Sequence, residues 1–159
     1  MKSEELKIKN YGFTLVEIIL VLAITFIVAT IIVVSFSRFS RGIAIGNDVQ
    51  NVVSFLEKAR SNTVASRNGL RYGVHFESGK AVLFSGDTYI PNSPLNEAIL
   101  LSPNVSLSVI SFAGGGNDLV FNRLTGETDQ FGYVALSVVG GSSDSRQINI
   151  SSTGVVNIQ

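Results

Sequence analysis

One ionisable side chain lies inside the longest apolar run of the chain. Glu17 is the sole ionisable residue in the stretch 13–36, and it comes four residues after Phe13. A charge in hydrocarbon costs on the order of 2.5–3.5 kcal/mol, and pairing with a cation recovers much of that cost. A cut after Gly12 would turn Phe13 into a new N-terminus and would therefore create such a cation. If the chain were cut there, Glu17 would be the fifth residue of a chain that begins with a free amine.

The apolar run is long enough to cross a membrane. As a helix, residues 13–36 would extend about 36 Å at ~1.5 Å per residue, against a hydrocarbon core of roughly 30 Å. In an ordinary anchor, Glu17 would instead snorkel to the interface. A cleaved secretory signal fits less well, because its apolar core usually has about 7–15 residues. We expect a single-pass segment with the larger C-terminal part outside the cytoplasm.

The composition argues against several kinds of site. The chain has 159 residues and no cysteine, which suits one domain with an appendage and removes disulfides and thiolate chemistry. Lys and Arg number 12, as do Asp and Glu, so the net charge gives no reason to expect a nucleic acid partner. His75, the sole histidine, is predicted to be an ordinary strand residue without triad or metal-ligand spacing. We expect no enzyme activity, no metal and no cofactor.

Charged residues supply two weaker candidate sites. Four acidic residues near turns could surround a calcium ion, although their spacing fits no calcium loop: Asp118, Glu127, Asp129 and Asp144. Four basic residues near the predicted junction of helix and sheet could bind DNA, although a solvated face is the preferred interpretation: Lys58, Arg60, Arg67 and Arg71. The three glycines at 114–116 lack the Lys-Ser/Thr of a phosphate loop, so a flexible turn is predicted there.

Helical periodicity resumes after the apolar run. Gly42 and Gly46 would each cost about 1 kcal/mol relative to alanine in a helix, which predicts a bend or melted turn within 37–46. The helix then continues with one apolar face and stops near Asn68-Gly69. That face comprises Val49, Val52, Val53, Leu56, Ala59, Thr63 and Val64, with Asp48, Gln50, Glu57, Lys58 and Arg60 largely opposite.

The chain beyond Gly69 consists of short apolar or alternating runs separated by turn residues. Eight strands are predicted, at residues 71–77, 81–84, 98–101, 105–112, 119–122, 133–139, 147–150 and 155–158. Ser78-Gly79 predicts a hairpin between the first two. The predicted fold class is α+β, with the amphipathic half of a long N-terminal helix packed on a C-terminal antiparallel β-sheet domain.

The N-terminus resembles a known processing signal. A short charged leader, then Gly12, Phe13, Thr14-Leu15-Val16, Glu17 and a long apolar helix are similar to the class III signal of type IV pilins and type II secretion pseudopilins. The resemblance implies a pilin fold, cleavage by a prepilin peptidase between Gly12 and Phe13, and N-methylation of Phe13. It also implies that Glu17 aligns with the Phe13 amine of a neighbouring subunit.

The C-terminal part is similar to the H-type pseudopilin and FimT-like minor pilin group. The similarity involves strand spacing and two turns, Thr125-Gly126 and Thr153-Gly154. The implied organisation is a leader at 1–12, a transmembrane and filament-core helix at 13–36, its continuation at 37–68 and a β-rich domain at 69–159. The chain lacks the cysteine pair that clamps a C-terminal loop in many major pilins, which favours a minor subunit.

The expected function is that of a minor pilin or pseudopilin, a structural subunit of a type II secretion pseudopilus or type IV pilus. The expected location is the inner or cytoplasmic membrane, followed by the filament. Its expected partners are the prepilin peptidase, other pilin or pseudopilin subunits and the membrane. Two alternatives stay open: a minor pilin that binds DNA for uptake, and a signal-anchored surface β-domain that does not polymerise.

Overall fold

The chain divides into two compact units after Phe39. A computed structural model describes residues 12–140 and 144–159, with only the backbone course for 34–38; the predicted leader before Gly12 lies outside these residues. Helix α1 (Leu15–Val64) has residues in both units, and a short 3-10 helix follows at Arg67–Gly69. The strands are β1 (Tyr72–Glu77), β2 (Lys80–Ser85), β3 (Glu97–Leu100), β4 (Val105–Phe112), β5 (Asp118–Val120), β6 (Gly132–Val138), β7 (Ser145–Ile150) and β8 (Val156–Ile158).

The strands form two four-stranded antiparallel sheets. Their orders are β3-β2-β1-β5 and β4-β6-β7-β8. The predicted hairpin joins β1 to β2, with Glu77 opposite Lys80. The α+β fold class is confirmed, and the eight predicted strands lie within a few residues of the observed ones. The sequence did not indicate that the strands would divide between two sheets.

The second unit has a hydrophobic core of its own. The core faces of β6 and β7 alternate with exposed or half-buried residues, as expected for sheets covered on one side. The helix and the two sheets contribute its buried side chains, which include Ile45, Val49, Val52, Leu56, Ala59, Val74, Phe76, Leu119, Phe121, Val134, Leu136 and Ile148. Since these residues all follow Ser40, this unit contains what it needs to fold by itself.

Two residues of α1 lie on a different side from the one predicted. Asp48 is buried, with 4% of its surface exposed, because its Oδ2 accepts a hydrogen bond of 2.9 Å from the backbone N–H of Ser102. Val64, which was assigned to the buried face, is 41% exposed. It is the last residue of the helix, where the chain leaves the sheets.

Helix α1 is helical through both Gly42 and Gly46, so the predicted melted turn within 37–46 is not found. The penalty for two glycines is about 2 kcal/mol. Burial of Ile45, which lies between them, and of Val49, which follows them, anchors the helix on the core and outweighs that penalty.

A bulge in β4 explains an apolar residue that faces solvent. The pairing of β4 with β6 shifts register between Leu107 and Val109. Before the shift, Val105 and Leu107 are buried, whereas after it the buried residue is Phe112 and Val109 is exposed. One extra residue moves the following side chains to the opposite face, so this strand does not alternate along its whole length.

Candidate functional site

Helix α1 begins with a side-chain cap at the predicted processing site. The backbone N–H of Glu17 donates a hydrogen bond of 3.2 Å to Thr14 Oγ1, and the Ile18 N–H donates to the Thr14 carbonyl oxygen. Thr14 is therefore the N-cap, and Glu17 is the acidic residue of the first turn. The Thr-x-x-Glu spacing could have revealed this cap from sequence. A negative side chain there is stabilised by the helix dipole.

Gly12 and Phe13 precede this helix in a stretch without regular structure. Phe13 is 80% exposed, and Gly12 is exposed with open space around the position of a missing side chain. The peptide bond between them is thus not protected by secondary structure. Glu17 follows Phe13 by four residues, in the first turn of α1.

The N-terminal part of α1 has an exposed apolar surface. Residues Leu15–Val33 form one helical stretch of 19 residues that is long and apolar enough to cross a membrane, and none of it is buried within the protein. An exposed apolar surface of this extent needs lipid or other helices around it. The hydroxyl groups of Thr25 and Thr30 in this stretch donate hydrogen bonds to backbone carbonyl oxygens one turn earlier, so these two polar groups are paired within the helix.

The two Thr-Gly turns meet at a single arginine of α1. Arg60 Nε donates to the Gly126 carbonyl oxygen at 3.1 Å, and Arg60 Nη2 donates to the Thr153 carbonyl oxygen at 3.3 Å. A Cβ built on Gly154 would lie 1.9 Å from the same Gly126 oxygen. The turns that carry the C-terminal resemblance therefore form one packed junction with the helix, which their separation in sequence does not reveal.

The basic cluster that suggested DNA is used mainly inside the domain. Besides Arg60, Arg71 donates to the Phe121 carbonyl oxygen and to Asn122 Oδ1 and forms an ion pair with an aspartate. Lys58 forms an ion pair with a glutamate of β3. These side chains hold strands and turns in place and do not form an unpaired basic face, so the arrangement gives no support to DNA binding.

His75 is a strand residue, as predicted, but it takes part in a polar contact that the sequence did not indicate. Its Nδ1 lies 2.5 Å from Asp118 Oδ1 on the neighbouring β5, and its ring stacks on Tyr89 with centroids 3.9 Å apart. Within the described residues, no three His, Asp or Glu side chains are arranged to hold a metal ion. Asp118 is thus not brought together with Glu127, Asp129 or Asp144 in a calcium site.

Comparison with known proteins gives one match to a sequence motif and one to a solved structure. Residues 7–33 match the family model of the prokaryotic N-terminal methylation motif. The chain also resembles the crystal structure of the type IV minor pilin FimU of Pseudomonas aeruginosa, with a TM-score of 0.53 and 14% identity over 69% of this chain and 88% of FimU. No curated protein matches the chain.

The chain combines a prepilin-type N-terminus with a pilin fold. The predicted resemblance to the type IV pilin superfamily is thereby confirmed, whereas neither match singles out the H-type pseudopilin. The pilin fold accounts for one long helix that continues from the apolar segment into a sheet domain. It is also the fold of FimU, which is a type IV minor pilin.

Proposed function

We propose that this chain is a minor pilin that is made as a prepilin, inserted in the inner or cytoplasmic membrane by residues 13–36 and cleaved between Gly12 and Phe13 by a prepilin peptidase. The observation that carries the proposal is the methylation motif at the head of an uncovered apolar helix. Gly12 has no side chain, so a protease can approach the backbone closely. N-methylation of Phe13 follows on the new terminus.

After cleavage, the carboxylate of Glu17 pairs with the Phe13 amine of a neighbouring subunit. Among the described residues, the Glu17 carboxylate has no hydrogen-bond or ion-pair partner, since the cap to Thr14 uses only the Glu17 backbone N–H. A buried carboxylate without a cation is strongly unfavourable, so pairing selects the register in which the apolar helices pack. The sheet domain then lies outside the cytoplasm, as part of a type IV pilus or type II secretion pseudopilus.

The intact mass of the chain extracted from membranes tests the proposal. In cells with the prepilin peptidase we expect a chain that starts at N-methylated Phe13, and in cells without the enzyme one that starts at Met1. A Met1 chain in peptidase-containing cells would exclude the proposed processing and favour a signal-anchored domain that does not polymerise. Which filament receives the subunit is then decided by immunogold labelling of isolated pili and pseudopili.

A further inference from the structure

Leu124 has a backbone conformation that leucine disfavours. Its φ is +69°, and the other described non-glycine residues with positive φ are two asparagines and a serine. A branched apolar side chain is strained there because Cβ crowds the backbone oxygen. Since the side chain is 79% exposed, packing inside the domain does not compensate for this strain. Strain kept at an exposed apolar residue points to a contact outside the domain.

The turn that presents Leu124, residues 121–127, is fixed at both ends. Two backbone hydrogen bonds of 2.7 and 2.9 Å close it. The guanidinium groups of Arg71 and Arg60 bind carbonyl oxygens at its first and last parts. A turn that is already ordered loses little conformational entropy when it binds a partner.

Arg123 adds a positive charge beside the exposed leucine. It is exposed, and its side chain makes no hydrogen bond or ion pair with the part of the chain that the structure describes. The tip of the turn therefore presents one apolar and one cationic side chain. Its complement is an apolar cleft with a carboxylate at the rim.

A cleft with this chemistry lies on the same domain. It has a volume of about 600 Å³ between the end of α1 and the turn that precedes β8. Its apolar lining includes Val64 and Val155, which are 41% and 47% exposed. The carboxylate is Glu57, which is exposed and forms no ion pair within the described residues.

We propose that the turn 121–127 of one copy binds this cleft on a second copy. Leu124 packs against Val64 and Val155, and Arg123 pairs with Glu57. The chain carries both halves of this complementary pair, which selects a second copy as the partner. Because Arg60 both lines the cleft and holds the turn, the two surfaces adjoin and two copies can exchange turns reciprocally. The inference rests on the proposed function, which inserts the copies side by side in one membrane, where two of them can meet before assembly.

Cysteine cross-linking in the intact chain tests the interface, since the protein has no cysteine of its own. Two full-length copies with different tags are co-expressed, one carrying Leu124→Cys and the other Val155→Cys, and the membranes are oxidised. We expect a mixed dimer at a yield about tenfold or more above that of a control pair in which Leu100→Cys replaces Leu124→Cys. Leu100 is a matched control because it is 78% exposed on β3. Equal yields overturn the proposal.

Charge reversal provides a second test of the interface. On the cysteine-bearing copies, Arg123→Glu alone and Glu57→Arg alone should each lower the yield severalfold, and combining Arg123→Glu in one copy with Glu57→Arg in the other should restore it. Failure of the combination to restore the yield contradicts the pairing. All of these positions are exposed, so the variants are expected to fold.

The mass of the same membrane-extracted chains separates the two proposals. A chain processed to Phe13 without cross-linking overturns the interface and leaves the proposed function intact. A cross-linked chain that still starts at Met1 supports the interface and overturns the processing.

Discussion

Arg60 and Gly126 lie 66 residues apart in the sequence, yet a hydrogen bond of 3.1 Å joins the Arg60 guanidinium to the Gly126 carbonyl oxygen. The same guanidinium reaches the turn at Thr153, 93 residues from Arg60. The Arg60 side chain thus links two turns of the sheet domain to α1, in a protein that has no disulfide.

Arg60→Met should lower the free energy of unfolding of the fragment 40–159 by about 1–3 kcal/mol, because two backbone carbonyl groups lose a charged donor. Urea denaturation monitored by circular dichroism measures the change. Arg123→Met is the matched control and should change the value by less than about 0.5 kcal/mol, since that side chain is exposed and has no partner among the described residues. Equal losses in both variants would contradict the role given to Arg60.

Gly154→Ala should destabilise the fragment more than Gly115→Ala does. The two glycines have φ values of +76° and +75°, so the conformational strain of an alanine is the same at both. A Cβ at Gly154 would lie 1.9 Å from the Gly126 oxygen, whereas one at Gly115 meets open space. We expect a difference of about 1–3 kcal/mol in unfolding free energy, as for overpacking. Similar values for both variants would show that the contact between Gly154 and Gly126 adjusts to the extra methyl group without loss of stability.

Asp48→Ala should cost about 1–3 kcal/mol of unfolding free energy, because the Ser102 N–H would lose its acceptor at a buried site. Asp48→Asn keeps an amide oxygen in place and should cost less. Thermal unfolding of the two variants beside the parent fragment measures the order. Equal losses for asparagine and alanine would mean that the charge of Asp48, and not its acceptor oxygen alone, stabilises the contact.

Thr14→Ala should loosen the first turn of α1. Loss of an N-cap costs about 0.5–2 kcal/mol, and the Glu17 N–H would lose its acceptor. Amide hydrogen exchange of Glu17 in the detergent-solubilised chain should accelerate about 2- to 30-fold, the range that these energies convert to. Thr14→Ser retains the hydroxyl group and should exchange at nearly the parent rate. Unchanged exchange in the alanine variant would show that Thr14 does not cap the helix.

Glu17→Ala should leave processing intact and reduce incorporation into filaments, because in the proposed function the carboxylate pairs with the neighbouring amine only after cleavage. Mass spectrometry of the membrane fraction measures processing, and immunoblots of sheared filaments measure incorporation. Glu17→Asp keeps the charge on a shorter side chain and should retain part of the incorporation. Equal incorporation of the alanine variant would remove the registration role from Glu17.

Local patterns in the sequence predicted the elements well but not their arrangement. The apolar length of α1 and the turn residues between strands are encoded over a few neighbouring positions, so the helix and the eight strands could be located. The division into two sheets depends on pairing between distant strands, which no local signal specifies. Asp48 was misplaced for the same kind of reason, because its partner Ser102 lies 54 residues away.

The candidate site was predictable to a different degree at the two ends of the chain. The roles proposed for Gly12, Phe13 and Glu17 depend on their spacing along one segment, and the sequence contains that spacing in full. The junction at Arg60 joins three segments that only folding brings together. Arg60 itself was therefore interpreted as part of a basic surface.

The reach of Arg60 to Thr153 has a consequence for biosynthesis. A ribosome completes α1 and most of the strands before it makes Thr153, the later of the two turn residues that Arg60 binds. A nascent chain therefore cannot form the second of these hydrogen bonds until Thr153 has left the ribosome. Chains that terminate before Thr153 would lack this contact and also β8, and would be more open to proteolysis.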